Sequence, residues 1–325
     1  MQTYGITYDT GWTSGPGPTT YEPFDAEVVR ADMIAIRDQL HCDAVRVTGG
    51  LVDRLELAAQ LAADAGLEVW LSPFTSDQPP EELLDTLADC ARRAEKITGA
   101  EVVLVTGAEL TLFLRGLLPG DTLEERIAGL RGPRPTDRLN AFLAEAAATV
   151  RKHFSGRITY AALPSERVDW TPFDIVGMDL YRTPENAEVY VHALRVLTEI
   201  GKPVAITEFG CTAVRGGADL GAKAMALVDW DGQVARGLTA DVERDEEEQA
   251  TYLRDLVETF EAEGIAAAFW CTFASRNLPH RPGGGRADLD QASYGLVKVL
   301  ESGEWEPKAA FAALAAVASR DENRR

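Results

Sequence analysis

The sequence predicts a single (β/α)8 barrel, the TIM-barrel fold, over residues 1–320, followed by a polar tail at residues 321–325. Eight short apolar runs alternate with segments of helical periodicity, and each crossover is long enough to join parallel strands. Long loops follow strands one, four, seven and eight, and such loops build the functional mouth of a barrel. The alternative is an open doubly wound sheet, but no glycine-rich nucleotide-binding motif opens a helix.

The predicted strands are β-favouring runs that end near a glycine or a polar residue. They cover residues 4–9, 44–49, 67–72, 101–109, 157–162, 174–181, 202–208 and 266–273. The predicted helices cover residues 25–40, 51–65, 80–97, 136–153, 187–200, 245–263 and 307–319. Gly66 ends the second helix, and Pro80 lies in the first turn of the third, where proline is tolerated.

Glu208 lies at the end of the seventh strand, in the run formed by residues 202–210. The apolar residues of this run predict a strand buried on both faces, as in a parallel sheet covered by helices. Ionised carboxylates are rarely buried without a partner. We therefore expect Glu208 at the open mouth of the barrel, where catalytic residues collect.

A second glutamate, Glu109, ends the fourth strand. Strands four and seven leave a barrel on opposite sides of its mouth, so their carboxylates are able to converge. Retaining glycosidases need two carboxyl groups about 5 Å apart, one as nucleophile and one as acid and base. Two like charges so close do not both ionise easily, so one pKa rises and that residue becomes the acid.

The chain resembles the large clan of (β/α)8 retaining glycoside hydrolases that carry an acid/base glutamate after strand four and a nucleophile glutamate after strand seven. In strand order the resemblance covers nearly the whole chain, whereas in residue identity it is limited to short motifs. Ile-Thr-Glu-Phe-Gly at residues 206–210 is close to the nucleophile segment of the clan. The resemblance implies that Glu208 is the nucleophile and that Glu109 is the acid/base.

The same resemblance implies three supporting residues. Arg46, at the end of strand two, matches an arginine aimed at the nucleophile, which would hold Glu208 ionised. Tyr181, after strand six, matches a tyrosine that hydrogen-bonds the nucleophile. Trp270, in strand eight, resembles the tryptophan beneath the sugar subsite.

Further side chains near strand ends are predicted around the mouth. Asp9, Trp12 and Trp70 are interpreted as pocket wall. Asp179 is interpreted as a third carboxylate that contacts the ligand, with backbone capping at the top of the barrel as the alternative.

Each of the main candidates also has a purely structural interpretation. Glu208 and Arg46 would then form a salt bridge without catalytic function, and Glu109 would turn outward into solvent. Tyr181 and Trp270 would be core or rim aromatics. The strand-end positions favour the functional interpretation for Glu208 and Glu109.

One departure from the clan changes the predicted function. The clan usually has Asn-Glu at strand four, whereas this chain has Ala108 before Glu109. The missing amide normally binds the sugar 2-hydroxyl. We therefore expect a small intracellular glycoside or glycosylated metabolite as the substrate. The alternative is a tailoring enzyme of specialised metabolism that uses the carboxylates for cyclisation, elimination or isomerisation.

Three loop segments suggest a second alternative. Residues 228–231, 269–273 and 288–295 resemble a group of actinobacterial proteins labelled as abortive infection proteins. This resemblance implies a non-catalytic ligand-binding or phage-defence protein. The segments themselves are interpreted as lid loops over the barrel mouth.

Composition argues against two classes of partner, and the partner we expect is a small molecule. The net charge of −20 argues against nucleic acid and anionic membranes, because both need a basic surface. The chain begins without a recognisable secretory signal and has no apolar run of membrane-spanning length, so a cytoplasmic location is predicted. The cysteines show no C-x-x-C pair and are predicted to be reduced, with buried packing as their main role; they are Cys42, Cys90, Cys211 and Cys271.

No cofactor or metal is predicted. His280 lies near Asp288 and Asp290, but the four histidines form no H-x-x-x-H pair. His280 is therefore interpreted as a solvated loop residue. The chain also lacks a G-x-S-x-G motif, which argues against a serine hydrolase.

Overall fold

A computed structural model describes residues 1–13, 15, 17–132 and 134–322 and confirms the predicted barrel. Strands β1 to β7 and β10 are parallel and close into one barrel, in the order β1-β10-β7-β6-β5-β4-β3-β2. In chain order the strands are β1 (Thr3–Asp9), β2 (Ala44–Gly49), β3 (Glu68–Pro73), β4 (Val102–Ala108), β5 (Arg157–Ala162), β6 (Val176–Asp179), β7 (Val204–Phe209), β8 (Val228–Asp231), β9 (Val234–Leu238), β10 (Ala267–Trp270), β11 (Val297–Val299) and β12 (Trp305–Pro307).

Helices cover the outside of the barrel. They are α1 (Ala26–Asp38), α2 (Val52–Asp64), α3 (Pro80–Ala94), α4 (Leu110–Phe113), α5 (Leu123–Gly129), α6 (Thr136–Arg151), α7 (Ala187–Thr198), α8 (Gly217–Leu220), α9 (Glu246–Ala262) and α10 (Ala309–Glu322). Within the described ranges, none is long and apolar enough to cross a membrane. Helix α10 continues to Glu322, and residues 323–325 of the predicted tail lie outside the described residues.

The strict alternation of strands and helices is interrupted once. Residues 163–175, all of which the structure describes, connect β5 to β6 without a helix. Two antiparallel hairpins that the sequence did not predict, β8–β9 and β11–β12, lie in the loops after β7 and β10. Their strands have only three to five residues, too few for a clear alternation of apolar and polar side chains.

The interior of the barrel is filled by small apolar side chains and two large rings. The ring centroids of Trp70 and Phe269 lie 4.7 Å apart inside the barrel. The next residue, Trp270, points to the opposite face, where it packs edge-on against Phe209 and Tyr252 beneath the helices. Because side chains alternate along a strand, residue 271 returns to the mouth side.

Two small apolar clusters stabilise the loops at the mouth. On one side, Trp12, Phe74 and Phe113 join the loops after β1, β3 and β4. On the other side, the β8–β9 hairpin packs on residues 278–292 through a cluster that includes Val228 and Leu278. Two of the predicted lid segments, residues 228–231 and 288–295, are therefore anchored by their own packing. The third, residues 269–273, begins inside barrel strand β10 and is not a loop throughout.

Candidate active site

Glu208 leaves the end of β7 beside two hydrogen-bond donors. Its Oε2 lies 3.4 Å from Nη1 of Arg46, and its Oε1 accepts a hydrogen bond from the Tyr181 hydroxyl at 2.5 Å. The Glu208 side chain is 27% exposed, so a ligand in the mouth can reach it. Burial and the neighbouring Glu208 charge raise the pKa of Tyr181 well above its usual value, so this hydroxyl keeps its proton and donates.

Arg46 lies beneath Glu208 and is almost fully buried. Its Nε donates to Ser72 Oγ at 3.2 Å, and its Nη1 donates to the Thr207 carbonyl at 2.9 Å. The same Nη1 lies 3.6 Å from Asp179 Oδ1. Burial opposes the charge on the guanidinium, but Asp179 and Glu208 outweigh it and raise the pKa of Arg46. Arg46 therefore stays charged in a fixed position between two carboxyl groups.

Asp179, at the end of β6, is a third carboxyl group below the mouth. Its side chain accepts a hydrogen bond from the Thr207 hydroxyl at 2.6 Å. Burial raises the pKa of Asp179 to about 7, with Arg46 opposing this shift and Glu208 adding to it. Asp179 is only 3% exposed, and it acts on the site through Arg46 and Glu208. Its contact with a ligand stays a prediction.

Glu109 follows β4 in a left-handed backbone conformation, with φ 49° and ψ 40°. This conformation is uncommon for a residue with a side chain and is often found at functional sites. The side chain is half-buried, and in the described part of the chain no side chain donates a hydrogen bond to its carboxyl. Burial, together with the charges of Asp179 and Glu208, raises the pKa of Glu109 well above its usual value. Glu109 thus lies close enough to Glu208 across the mouth for the two charges to interact.

Two buried residues that the sequence analysis missed hold the backbone after Glu109. Glu166 accepts a hydrogen bond from the Thr111 N–H at 2.9 Å, and the Tyr160 hydroxyl accepts one from the Leu110 N–H at 2.7 Å. Glu166 lies in the irregular connection 163–175, so no strand or helix pattern indicated it. Tyr160 lies inside a predicted strand, where an aromatic residue is expected as part of the hydrophobic core.

The prediction for Trp270 was wrong. Its ring is fully buried, and its indole N–H donates to the Tyr294 carbonyl at 2.9 Å, so it cannot floor a subsite. Cys271 takes the inward position instead; the residue as a whole is half-buried, and its thiol interacts with Tyr181 and with the charge of Glu208. Burial raises the pKa of the Cys271 thiol, so it stays protonated. Cys271 lies two residues after Phe269, which points into the barrel, so the two side chains share one face of the strand.

The predicted pocket wall is also corrected in part. Trp70 is 2% exposed inside the barrel and donates to Glu68 at the start of its own strand, away from the mouth. Asp9 accepts hydrogen bonds from the Gly11 N–H at 2.8 Å and from the Thr20 hydroxyl, so it organises the loop after β1. Trp12 is half-buried and stacks on Phe74, with ring centroids 5.5 Å apart, and its place in a pocket wall stays a prediction.

His280 is not a solvated loop residue, contrary to the prediction. Its ring lies 2.9 Å from Asp288, whose other oxygen accepts a hydrogen bond from Arg244 at 2.8 Å. Lys308 is fully buried and lies 2.9 Å from Asp290 in the same network. In the described ranges no group of three or more His, Cys, Asp or Glu side chains is arranged to hold a metal ion. The network joins the loops after β7 and β10 to α10.

A cavity of about 1170 Å³ lies away from the mouth, between the loop after β1 and the β11–β12 hairpin. Tyr21, Arg276 and Trp305 are among its lining residues. None of the carboxyl groups around Glu208 lines this cavity. The cavity therefore shares no lining residue with the carboxyl groups at the mouth.

Comparisons with known proteins support the fold. No protein-family model and no curated protein matches the chain. A solved GH113 β-1,4-mannanase complex is similar over 98% of this chain and 99% of its own, with a TM-score of 0.66 and 17% identity. The GH113 β-mannanase AaManA from Alicyclobacillus acidocaldarius gives 0.63 and 18%, and a β-glucosidase named 1317 gives 0.62 and 12%, each over 98% of both chains. At these identities the likeness shows the barrel architecture.

Proposed function

We propose that the chain is a glycoside hydrolase-like enzyme with Glu208 as nucleophile and Glu109 as acid and base. The observation that carries this proposal is the unequal surroundings of the two carboxyl groups. Arg46 and Tyr181 donate to Glu208, whereas the pKa of Glu109 is raised by burial and by neighbouring negative charges. Retaining hydrolysis needs this division between an ionised and a protonated carboxyl group. The barrel shared with solved glycoside hydrolases supports the same class.

In the first step the Glu208 carboxylate attacks the anomeric carbon, and the bond from that carbon to the leaving-group oxygen breaks. Glu109 gives its proton to the departing oxygen, so the alcohol leaves neutral. In the second step Glu109, now ionised, takes a proton from water. The resulting hydroxide attacks the anomeric carbon, the ester bond to Glu208 breaks, and both carboxyl groups return to their starting states.

Arg46 and Tyr181 support this cycle without bonding to the reacting carbon. They orient one Glu208 oxygen each, so the attacking lone pair is fixed before the substrate binds. Donors that are already in position also stabilise the carboxylate when it departs in the second step. The same two contacts thus serve attack and release.

The proposed substrate is a small glycoside or glycosylated metabolite. Ala108, which is buried beside Glu109, provides no amide for a sugar 2-hydroxyl. The same observation favours a second candidate, in which the carboxyl groups transfer protons in a cyclisation, elimination or isomerisation. The cytoplasmic location predicted from the sequence remains part of this proposal.

The test combines turnover with covalent trapping. We expect the protein to release the phenol from at least one member of a panel of aryl glycosides. A 2-fluoro glycoside with a good leaving group should label the peptide that contains Glu208, as read by mass spectrometry. Glu208→Gln is the matched control and should neither turn over nor become labelled. Absence of both turnover and labelling in the native protein would contradict hydrolysis.

The second candidate predicts a different pattern. Turnover of the true metabolite would proceed without a covalent adduct. It would be lost in Glu109→Gln but only reduced in Glu208→Gln, because Glu109 is the group that carries the proton.

A further inference from the structure

We propose that Glu166 and Tyr160 are positioning residues that hold Glu109 in its working orientation, with the carboxyl group of Glu166 adding negative charge behind it. The proposal rests on the acid/base role given above to Glu109, and it concerns how the fold produces that role. Glu166 comes from the irregular connection after β5, and Tyr160 comes from β5 itself.

The two side chains bind consecutive backbone N–H groups immediately after Glu109. The Leu110 N–H donates to the Tyr160 hydroxyl at 2.7 Å, and the Thr111 N–H donates to Glu166 Oε1 at 2.9 Å. The Tyr160 hydroxyl in turn donates to Glu166 Oε2 at 2.8 Å. These contacts are at the start of α4, where backbone N–H groups have no partners within the helix. They fix the peptide units that follow the left-handed residue Glu109 and therefore the direction of its side chain.

A second contact ties this unit to its own loop. Glu166 Oε2 also accepts a hydrogen bond from the Leu163 N–H at 2.9 Å. Tyr160 is fully buried and Glu166 is 9% exposed. Burial raises the pKa of Glu166, while the hydrogen bonds from Thr111, Tyr160 and Leu163 favour the anion and oppose this shift. In its ionised form Glu166 places a negative charge behind Glu109.

Glu109 faces charged groups from four parts of the barrel. Asp179 of β6 and Glu208 of β7 are acidic, Glu166 adds a third acidic group, and Arg46 of β2 is the opposing cation. Burial is the largest cause of the raised pKa of Glu109, and the three acidic groups all raise it further. Removing the charge of Glu166 while leaving the others in place should therefore lower the pKa of Glu109.

The first experiment needs no substrate, so its outcome is independent of the hydrolysis proposed above. Carbon-13 labelling of glutamate carboxyl groups allows each titration to be followed by NMR, and Glu109→Gln assigns the Glu109 signal. We expect the Glu109 midpoint in the native protein to lie above that of exposed glutamates. In Glu166→Gln the midpoint should move to lower pH.

Tyr160→Phe separates position from charge. It removes the acceptor of the Leu110 N–H and keeps the Glu166 carboxylate. We expect faster hydrogen exchange at the Leu110 amide with little change in the Glu109 midpoint. With a turnover substrate, kcat should fall about tenfold in Tyr160→Phe while KM changes little, because a misdirected acid affects the transition state.

Asp32→Asn is the matched control for loss of a buried carboxylate. Asp32 is 1% exposed on α1 and accepts hydrogen bonds from the Tyr8 hydroxyl at 2.7 Å and the Trp305 indole at 3.0 Å. This variant should lower thermal stability without moving the Glu109 midpoint. An unmoved midpoint in folded Glu166→Gln overturns the electrostatic part of the proposal. Unchanged exchange at Leu110 in Tyr160→Phe overturns the positioning part, including the case in which Glu166→Gln does not fold.

Discussion

Glu208 and Glu109 end two strands of the same barrel, yet the protein holds them in opposite ways. Glu208 is held through its carboxylate, which receives contacts from Arg46 and Tyr181. Glu109 is held through the backbone that follows it, while no described side chain donates a hydrogen bond to its carboxyl group. A nucleophile needs donors on its reacting atoms, whereas an acid needs a fixed direction and a proton that it can transfer.

The surrounding charges follow the same division. Arg46, the only cation that interacts closely with the described carboxyl cluster, lies 3.4 Å from Glu208 and 3.6 Å from Asp179. Glu109 is affected mainly by burial and by negative neighbours. Because Glu109 and Asp179 interact strongly, they titrate together, and their proton distribution belongs to the pair as a whole.

The largest expected effect tests this comparison directly. Glu208→Gln should lower kcat by about 10⁴-fold for every aryl glycoside, because no leaving group replaces a missing nucleophile. Glu109→Gln should lower kcat by about 10²- to 10⁴-fold for poor leaving groups. For dinitrophenyl glycosides the first step of Glu109→Gln should be nearly normal, since that phenolate needs no proton. Burst kinetics across a series of leaving groups measures how each variant depends on the leaving group. An equal loss of kcat in both variants across the series would contradict the separate roles of Glu208 and Glu109.

Arg46→Met tests the cation that lies beside Glu208 and makes its surroundings different from those of Glu109. Removing Arg46 leaves buried Asp179 without its opposite charge and Glu208 without one donor. We expect the free energy of unfolding to fall by about 3–5 kcal/mol, as for other broken buried ion pairs. Urea unfolding at pH 7 measures it. Arg236→Met, which removes an exposed pair with Asp231, is the control and should cost less than about 1 kcal/mol.

Tyr181→Phe tests the hydroxyl that donates a hydrogen bond to Glu208 but not to Glu109. It removes the 2.5 Å hydrogen bond to Oε1 and leaves the ring in place. We expect kcat to fall about tenfold, consistent with loss of one hydrogen bond to a charged group. Tyr252→Phe removes another buried hydroxyl, which bonds the Arg182 backbone, and should lower stability without this loss of kcat. Equal kinetics in the two variants would contradict the role of Tyr181.

The last prediction concerns the dependence of stability on pH and the carboxyl group of Asp179. The pKa of Asp179 is raised to about 7 in the folded protein, above its value in the unfolded chain. Between about pH 4 and pH 7 the folded state therefore holds a proton that the unfolded state has lost, so stability falls as pH rises through this range. Asp179→Asn should make this fall shallower in urea unfolding at pH 5 and pH 7.5. An unchanged slope would show that the proton resides elsewhere in the cluster.

Much of the architecture could be predicted from local patterns. Apolar runs and helical periodicity predicted all eight barrel strands within a few residues of their observed ends. The strand-end rule also selected Glu208 and Glu109, and the resemblance selected Arg46 and Tyr181, which contact Glu208 in the structure. These predictions succeeded because parallel strands of a barrel all end at the same mouth.

The direction of individual side chains was harder to predict. Trp270 was expected in the mouth, but β10 points Phe269 inward and Trp270 outward, so Cys271 takes that place. A shift of one residue along a strand exchanges its two faces. Composition and motifs do not show which residues of a strand point into the barrel and which point outward.

By itself, the sequence determined the class of fold and the strand ends at which its carboxylates emerge, because these depend on short-range periodicity and residue type. Only the tertiary structure decided how those carboxylates are aimed. Register shifts near the ends of β4 and β7 determine where the Glu109 and Glu208 side chains leave their strands. Glu166 binds the backbone that follows Glu109 from an irregular loop. Register depends on hydrogen bonds between strands that are far apart in the chain, so it becomes defined only when the barrel closes.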